Sequence, residues 1–453
     1  MTCDLFVIGA GPGGYNAALE AAALGLKVVL AERDVLGGTC LNRGCIPTKL
    51  FLGATAAVDE LDAQIRLKLA TGEAKVDFGA LQTRKSKLLS ATRKGMMVKL
   101  QQAGVTLLMG EARLIGPNAA LVQAADGEKR VEFRHAVLAM GGSPLAVPGL
   151  EPDGRTILNS DQLLDEARPP RSLMIIGGGY IGLELGQVFH RLGTSITVID
   201  AAPRLAPQED PEVSAELARI FKRKGWNILA GVKVKSLAAK EDRAEVTLDS
   251  GDLVSAEKAL VAVGRRPVSA GLGLEAAGCE FFGPGFVRTD DYLRAAPTVF
   301  AVGDVNGRFM LAHAAEAQAR YVARVAAGRE RKPFDPGVVP SCIYGSPETM
   351  RAGRMAHELK TEGHEVFVSR AQLVANPIAQ AHGATSGFVK VVWSGGKVAG
   401  ACGVGFGVSH LATLAAVMVR EAWTAEDVMR TVFPHPSIDE SLMEALHAER
   451  TPA

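Results

Sequence analysis

The feature that most constrains this chain is a strand, glycine turn, helix and strand that occur twice in register. Leu5-Phe6-Val7-Ile8 reads as a short buried strand. It runs into Gly9-Ala10-Gly11-Pro12-Gly13-Gly14, residues 15–24 follow as an alanine-rich helix, and Lys27-Val28-Val29-Leu30 leads to Glu32 as a second strand. The unit returns over residues 173–200. Gly9 meets Gly177, Gly11 meets Gly179, Gly14 meets Gly182, Leu24-Gly25 meets Leu192-Gly193, and Glu32 meets Asp200. In such a unit one glycine makes the turn, one lets backbone approach a pyrophosphate, and one packs helix on strand. The pyrophosphate sits at the helix N-terminus, where free N–H groups and the dipole favour an anion. One glycine turn is a weak signal. Two, each with its strands, helix and terminal acid, specify an α/β chain with two Rossmann-like dinucleotide-binding domains.

Two dinucleotides in one chain suggest a hydride relay between a fixed carrier and an exchangeable one. A flavin suits the fixed role, because it passes two electrons to a nicotinamide or to a disulfide. For the exchangeable carrier, a carboxylate at Asp200 suits a free 2′-hydroxyl and repels a 2′-phosphate. Ala201-Ala202-Pro203 bring no arginine cluster, and Arg204 alone is a weak counter-signal. NAD is expected over NADP.

Directly after the first unit comes Gly37-Gly38-Thr39-Cys40-Leu41-Asn42-Arg43-Gly44-Cys45-Ile46-Pro47-Thr48-Lys49. Two thiols this close, in a chain without an export signal, read better as a redox pair than as a structural staple. A regular helix would hold residues five apart at about 8.7 Å between Cα atoms, whereas a disulfide wants roughly 4.4–6.8 Å. If the two bond, the helix is distorted there, and Gly44 and Pro47 permit that. The competing readings are two buried structural thiols or half a metal site. Cys3, Cys279, Cys342 and Cys402 are scattered singly, so no zinc-type spacing completes such a site, and no metal is expected.

With 50 Lys+Arg against 49 Asp+Glu, the 453-residue chain has no global charge suited to nucleic acid or an acidic membrane surface. No basic segment with a cleavable apolar stretch precedes the first strand, so Met1 is read as the start of a cytosolic protein. No apolar run reaches the ~18 residues a membrane span needs. Residues 51–100 read as helices, and 107–114 and 118–122 as short strands. Val137 to Gly142 closes the first part and 260–267 the second. Val299-Phe300-Ala301-Val302-Gly303-Asp304 reads as a buried strand ending in an acid, where α/β folds bind ligands; the bland reading is a cap for a helix over 312–327. Pro333, Pro336 and Pro340 mark a linker. The remainder alternates strands (388–393, 398–402) with helices (410–420, 425–430). The expected domains are 1–147 with the thiol pair, 148–267, 268–336 completing the first, and 337–453.

Near the end stands Phe433-Pro434-His435-Pro436-Ser437-Ile438-Asp439-Glu440. His435 precedes a proline, so it is expected to be extended, ahead of a helix running to about residue 447. With Glu440 nearby it would make a thiol base, its carboxylate partner fixing the tautomer. Alone, such a histidine is more often a cap, and the case rests on the thiols far upstream.

In their order and residues these motifs resemble the flavin-dependent pyridine nucleotide–disulfide oxidoreductases over essentially the whole chain. The resemblance is carried by the first glycine unit, the 37–49 segment, Gly177-Gly178-Gly179-Tyr180-Ile181-Gly182-Leu183-Glu184, Ala262-Val263-Gly264-Arg265-Arg266-Pro267, Gly303-Asp304, Met310-Leu311-Ala312-His313, and His435-Pro436 with Glu440. It implies FAD- and NAD-binding domains followed by a C-terminal α+β dimerisation domain, and an NAD-linked oxidation of a dihydrolipoyl dithiol. Cys45 would be the thiolate next to the flavin, Cys40 the sulfur that exchanges with substrate, and Lys49 would pair with Glu184 near the flavin. Tyr180 resembles an aromatic gate over the nicotinamide pocket. Gly9, Gly11, Gly14, Glu32, Ala112, Gly303, Asp304, Met310, Leu311, Ala312 and His313 would serve FAD; Gly177, Gly179, Gly182, Asp200, Val234 and Gly264 would serve NAD. The family forms homodimers in which His435 would reach the disulfide of the opposite subunit, and a 2-oxo acid dehydrogenase or other lipoyl-protein complex would be the larger partner.

The chain departs from the family pattern at Phe433, where a histidine is usual, at Asp439, at residues 344–347, and over 407–410. Two alternatives stand beside the dithiol reading. A glutathione-type disulfide reductase usually carries NADP-binding arginines after the second glycine unit, which are missing. A non-catalytic flavoprotein serving as an assembly module would not need Cys40, Cys45, Lys49, His435 and Glu440 intact.

Overall fold

A computed structural model describes residues 1–453. The chain divides into two compact units. The first comprises Met1–Pro47, Gln82–Leu145 and Gly264–Pro336; the second comprises Thr48–Leu81, Ala146–Val263 and Gly337–Ala453.

The first unit is built on a seven-stranded sheet. Thr2–Ile8 lies between Val28–Glu32 and the end of Gly127–Leu138, parallel to both, with Val7 opposite Leu30 and Val137. Val299–Ala301 continues the parallel set beside Gly127–Leu138. Leu5, Phe6 and Val7 are fully buried, as expected where both faces of a parallel sheet are covered. Thr106–Gly116, Ala119–Ala124 and Gly127–Leu138 form an antiparallel meander from the same sheet. Sequence reading recovers only the apolar end of Gly127–Leu138. Its first half, Glu128-Lys129-Arg130-Val131-Glu132-Phe133-Arg134, alternates charged and apolar residues because one face is solvated.

The second unit holds a five-stranded parallel sheet in the order Asn227–Ala230, Ser195–Asp200, Ser172–Ile176, Lys258–Val261, Ile157–Leu158. The helices Tyr180–Arg191 and Pro211–Arg223 belong to it. It also holds a three-stranded antiparallel sheet and a six-stranded antiparallel one, the latter formed by the C-terminal residues. In the six-stranded sheet Gly387–Ser394 pairs with Lys397–Gly405 and with Val366–Gln372.

The first helix runs Pro12–Ala23, starting earlier than expected because proline is well placed in a first helical turn. The helical stretch resolves into Cys45–Arg66 and Phe78–Gln102, separated by a turn in which Lys68 and Gly72 take positive φ. Asp304 is not a cap for the following helix: it lies in a short 3-10 turn, Gly303–Asn306, and the N-cap of Ala312–Ala326 is Leu311. No helix is long and apolar enough to cross a membrane.

Candidate active site

The two glycine turns are closed at their ends and open at their centres. A Cβ on Gly9 would stand 2.5 Å from the Ala139 oxygen, and one on Gly14 would stand 1.8 Å from the Gly9 oxygen. A Cβ on Gly177 would meet the Ala262 oxygen at 2.4 Å, and one on Gly182 the Gly177 oxygen at 2.2 Å. Nothing lies within 4 Å of a Cβ on Gly179, and one on Gly11 would only touch Gly38 Cα at 3.8 Å. Directly behind Gly11 and Gly179 start helices that have no side-chain cap and no acid in their first turns. Bare N–H groups behind an open glycine form a cradle that fits a pyrophosphate.

The strand-end acids brace these turns in the same way. Glu32 Oε2 accepts the N–H of Ala10 at 2.7 Å, and Asp200 Oδ2 accepts that of the equivalent Gly178 at 2.6 Å. Each carboxylate retains lone pairs for ribose hydroxyls. Arg204 Nη2 donates to the carbonyls of Pro207 at 2.6 Å and Glu209 at 3.2 Å, which ties the side chain to its own loop, while its buried Nε has no hydrogen-bond partner. Val234 opens the strand Val234–Lys240 and is half-buried. Gly264 has φ +131° and falls in the first compact unit, whereas Asp200, Val234 and the second glycine turn fall in the second.

In the thiol segment the helix breaks at Gly44. Gly38–Arg43 ends there with φ −142° and ψ −110°, and a new helix starts at Cys45. A Cβ at Gly44 would press on the Thr39 oxygen at 3.1 Å. Cys40 and Cys45 are both half-buried. Asn42, between them, donates to the carbonyls of Leu36 at 3.0 Å and Gly38 at 2.8 Å, and Arg93 donates to its side-chain oxygen at 2.7 Å. Cys45 is the first residue of its helix and Lys49 follows one turn later. A helix N-terminus and a cation both favour a thiolate.

Lys49 is held from two sides. Its Nζ lies 2.6 Å from Glu184 Oε2 and 4.7 Å from the centre of the Tyr344 ring. Glu184 Oε1 accepts the N–H of Tyr344 at 3.0 Å. Burial pushes the Glu184 carboxyl up, while Lys49 opposes that shift. One turn along the same helix, Gln187 accepts the Ser346 N–H at 2.6 Å and donates to the Tyr344 carbonyl at 3.1 Å.

Asp304 is half-buried, and burial raises its carboxyl above the usual range despite Arg265 Nε at 3.6 Å. Arg265 also donates to the Gly142 carbonyl and reaches Thr39 Oγ1 at 3.5 Å. Gly303 donates to Gln318 Oε1 at 2.7 Å. Ala112 is buried in the strand Thr106–Gly116. Met310 is exposed, and Leu311, Ala312 and His313 form the start of a third helix without a side-chain cap.

His435 Nδ1 lies 2.7 Å from Glu440 Oε1, and Glu440 Oε2 accepts the Ser437 N–H at 2.9 Å. The hydrogen bond with His435, followed by that from Ser437, holds the Glu440 carboxyl below its usual range. A carboxylate only accepts, so Nδ1 carries the hydrogen and Nε2 is the basic nitrogen. The His435 side chain is 77% exposed, against 13% for Glu440. Glu440 lies in the first turn of the helix Asp439–His447. Phe433, at the departure from the family pattern, packs on the C-terminal core. His435 and Glu440 belong to the second compact unit, Cys40 and Cys45 to the first.

In the sequence Tyr344 stands out only as part of the departure at residues 344–347, and Gln187, Glu209 and the Arg93–Asn42 and Arg265–Asp304 contacts do not stand out at all. None has a fixed spacing to the residue it touches. Asn42 alone carried a local signal, being the amide between the two thiols.

Two dinucleotide cradles and a separate C-terminal sheet define an α/β protein built to hold two nucleotides at once. Residues 3–319 match the family model described as pyridine nucleotide-disulphide oxidoreductase, and residues 339–446 match that family's dimerisation domain. The chain belongs to this family. It is 35% identical over 450 residues to the dihydrolipoyl dehydrogenase of Chlorobaculum tepidum, covering 98% of this chain and 96% of that one. It is 36% identical over 455 residues to dihydrolipoyl dehydrogenase 3 of Pseudomonas aeruginosa, covering 98% and 97%. The crystal structure of LpdA from Mycobacterium tuberculosis superposes with a TM-score of 0.90 at 28% identity, covering 98% of this chain and 99% of that chain.

Proposed function

We propose that this chain is an enzyme that oxidises a dihydrolipoyl dithiol to its disulfide, with NAD+ as final acceptor and FAD and the Cys40–Cys45 pair between them. The carrying observation is the His435–Glu440 pair at 2.7 Å with the histidine largely exposed, in a chain that matches dihydrolipoyl dehydrogenases over nearly its full length. The basic Nε2 takes a proton from one substrate thiol, because only the thiolate is nucleophilic. That thiolate attacks Cys40 Sγ, the Cys40–Cys45 bond breaks, and Cys45 leaves as a thiolate. Loss of the second substrate proton lets the other sulfur displace Cys40. The substrate is then a disulfide and the cysteine pair holds the two electrons. Lys49 and the helix N-terminus stabilise the charge on Cys45. A bound FAD would supply two-electron carriage between the cysteine pair and NAD+.

Residues 1–147 and 268–336 form the FAD-binding part, 148–267 the NAD-binding part and 337–453 the interface. FAD is held by the first glycine turn, Glu32, Ala112, Asp304 and the Met310–His313 helix start. NAD is held by Gly177, Gly179, Tyr180, Gly182, Asp200 and Val234. The match of residues 339–446 to a dimerisation domain supports a homodimer in which His435 serves the cysteine pair of the other copy. The lipoyl group is carried by a protein of a 2-oxo acid dehydrogenase or similar complex. Cysteines scattered outside the one pair suit a reducing cytoplasm. The test is the rate of NADH formation from dihydrolipoamide and NAD+, compared with NADP+ and with glutathione as the thiol. Turnover with glutathione but not dihydrolipoamide would overturn the reading.

A further inference from the structure

Gln318 lies in the middle of the helix Ala312–Ala326, on the face that the helix buries. It is fully buried, although Ala315, Ala319 and Val322 on the same face are small and apolar. An amide among alkyl groups is costly unless it is hydrogen-bonded. Here the bonds run through one atom. Gln318 Oε1 accepts the N–H of Gly303 at 2.7 Å and an N–H from Asn306 Nδ2 at 3.0 Å, while Nε2 has no hydrogen-bond partner. A backbone N–H only donates, so the atom facing Gly303 is the oxygen and the amide cannot be turned round.

Asn306 is fixed by the same logic. Its Oδ1 accepts the N–H of Arg308 at 3.0 Å, which leaves Nδ2 to donate to the Ala301 carbonyl at 2.9 Å as well as to Gln318. Gln318 therefore grips both ends of the 3-10 turn Gly303–Asn306, and Asp304 stands between the two gripped residues. Gly303 has φ +74°, and a Cβ there would stand 3.1 Å from the Cβ of Ala315, so turn and helix meet with no side chain between them. The same helix presents Ala312 and His313 at its start. All of these residues belong to the first compact unit.

We propose that Gln318 is a positioning residue of the FAD site: through the Gly303 N–H and Asn306 it holds Asp304 at a fixed place relative to the helix start at Ala312. The inference rests on the assignment of Asp304 and that helix start to FAD. An acid already in place adds no ordering cost when the cofactor binds. Without the Gln318 oxygen, the Gly303 N–H is left buried and unbonded. The turn relaxes to find another acceptor, Asp304 moves with it, and FAD is held less tightly.

The experiment uses the full-length flavin-loaded protein and four variants: Gln318→Met, Gln318→Glu, Asn306→Ala and Asp304→Ala. FAD release is followed as the rise of free-flavin fluorescence in concentrated potassium bromide. Methionine keeps the length of glutamine but offers only a weak acceptor, whereas glutamate keeps the oxygen in either protonation state. The expected result is release about tenfold faster in Gln318→Met, the scale of one buried donor left unbonded, and within about threefold of wild type in Gln318→Glu. Asn306→Ala shows a smaller increase than Gln318→Met, since Gly303 keeps its acceptor. A side chain that only fills space gives the opposite order, with methionine tolerated in its apolar surroundings and a buried glutamate harmful. That order overturns the proposal, as does wild-type release in Gln318→Met. If Gln318→Met does not fold, the other variants decide: wild-type release in Asn306→Ala, or release in Gln318→Glu faster than in Asn306→Ala, overturns it. Wild-type release in Asp304→Ala removes the assignment of that acid to FAD and this inference with it.

Discussion

Lys49 and Glu184 meet at 2.6 Å, with the lysine on the helix that begins at Cys45 and the glutamate on the helix behind the second glycine turn. Glu184 is nearly buried, so its charge depends on this partner. Lys49→Met should strand the carboxylate and cost about 3–5 kcal/mol, the scale for a broken buried pair. Because Lys49 is about one-third exposed, the low end is expected. Adding Glu184→Leu should restore much of the stability in urea unfolding but none of the turnover. Recovery of both together would make the pair purely structural.

The two thiols should be chemically distinct. After reduction, iodoacetamide should label Cys40 ahead of Cys45, because Cys40 is assigned the exchange with substrate and Cys45 the flavin side. Peptide mass spectrometry over a time course reads this directly. Faster labelling of Cys45 would invert the assignment.

NAD should exceed NADP in catalytic efficiency by roughly a hundredfold or more, from lost hydrogen bonds and added charge repulsion at Asp200. Asp200→Ser should narrow the gap. Arg204→Ala should not, since that guanidinium is bound to the carbonyls of Pro207 and Glu209. A collapse of the preference in Arg204→Ala would show that the loop reorganises around the cofactor.

His435→Gln should lower dihydrolipoamide oxidation by about 10²–10⁴-fold, the usual contribution of a positioned base. NADH-driven reduction of a one-electron dye by the flavin should survive, because no thiol is deprotonated. Glu440→Gln should cause a smaller loss. The Glu440 carboxyl is held below its usual range by His435 and Ser437, so it stays ionised and keeps fixing the tautomer as pH falls into the weakly acidic range. The acid limb of the pH–rate profile should therefore move in Glu440→Gln. An unmoved limb would assign that limb to another group.

Stability of the second unit should depend on Asp59. Burial pushes this carboxyl up, but Lys224 and Arg191, at 2.8 and 2.6 Å, outweigh it and the net shift is downward. A depressed carboxylate contributes stability above its unfolded pKa of about 3.9 and loses it as pH falls through the folded value. Asp59→Asn should therefore destabilise the protein near neutrality and flatten the fall in stability below about pH 4. Urea midpoints across pH check this; parallel curves for wild type and variant would refute it.

Much of the candidate site was legible because its residues follow one another at short, fixed spacing. Gly9, Gly11 and Gly14, repeated as Gly177, Gly179 and Gly182, specify a turn whatever surrounds them, and Glu32 and Asp200 follow at the end of the next strand. Cys40, Gly44 and Cys45 announce a broken helix because no regular one suits that pair. His435 and Glu440 lie on either side of a helix start, so their meeting is also local.

The rest needed the fold. Lys49 and Glu184, Arg93 and Asn42, Tyr180 and Ser341, and Lys390 and Asp210 are each far apart in the chain. No backbone periodicity links their positions. By itself the sequence determined which short segments turn and which bring two thiols together around a helix break, since those depend on dihedral freedom and residue chemistry within a few positions. Tertiary structure alone decided which charges are paired in the interior and which are left bare. That depends on desolvation, and a side chain loses its water only when distant parts of the chain close over it.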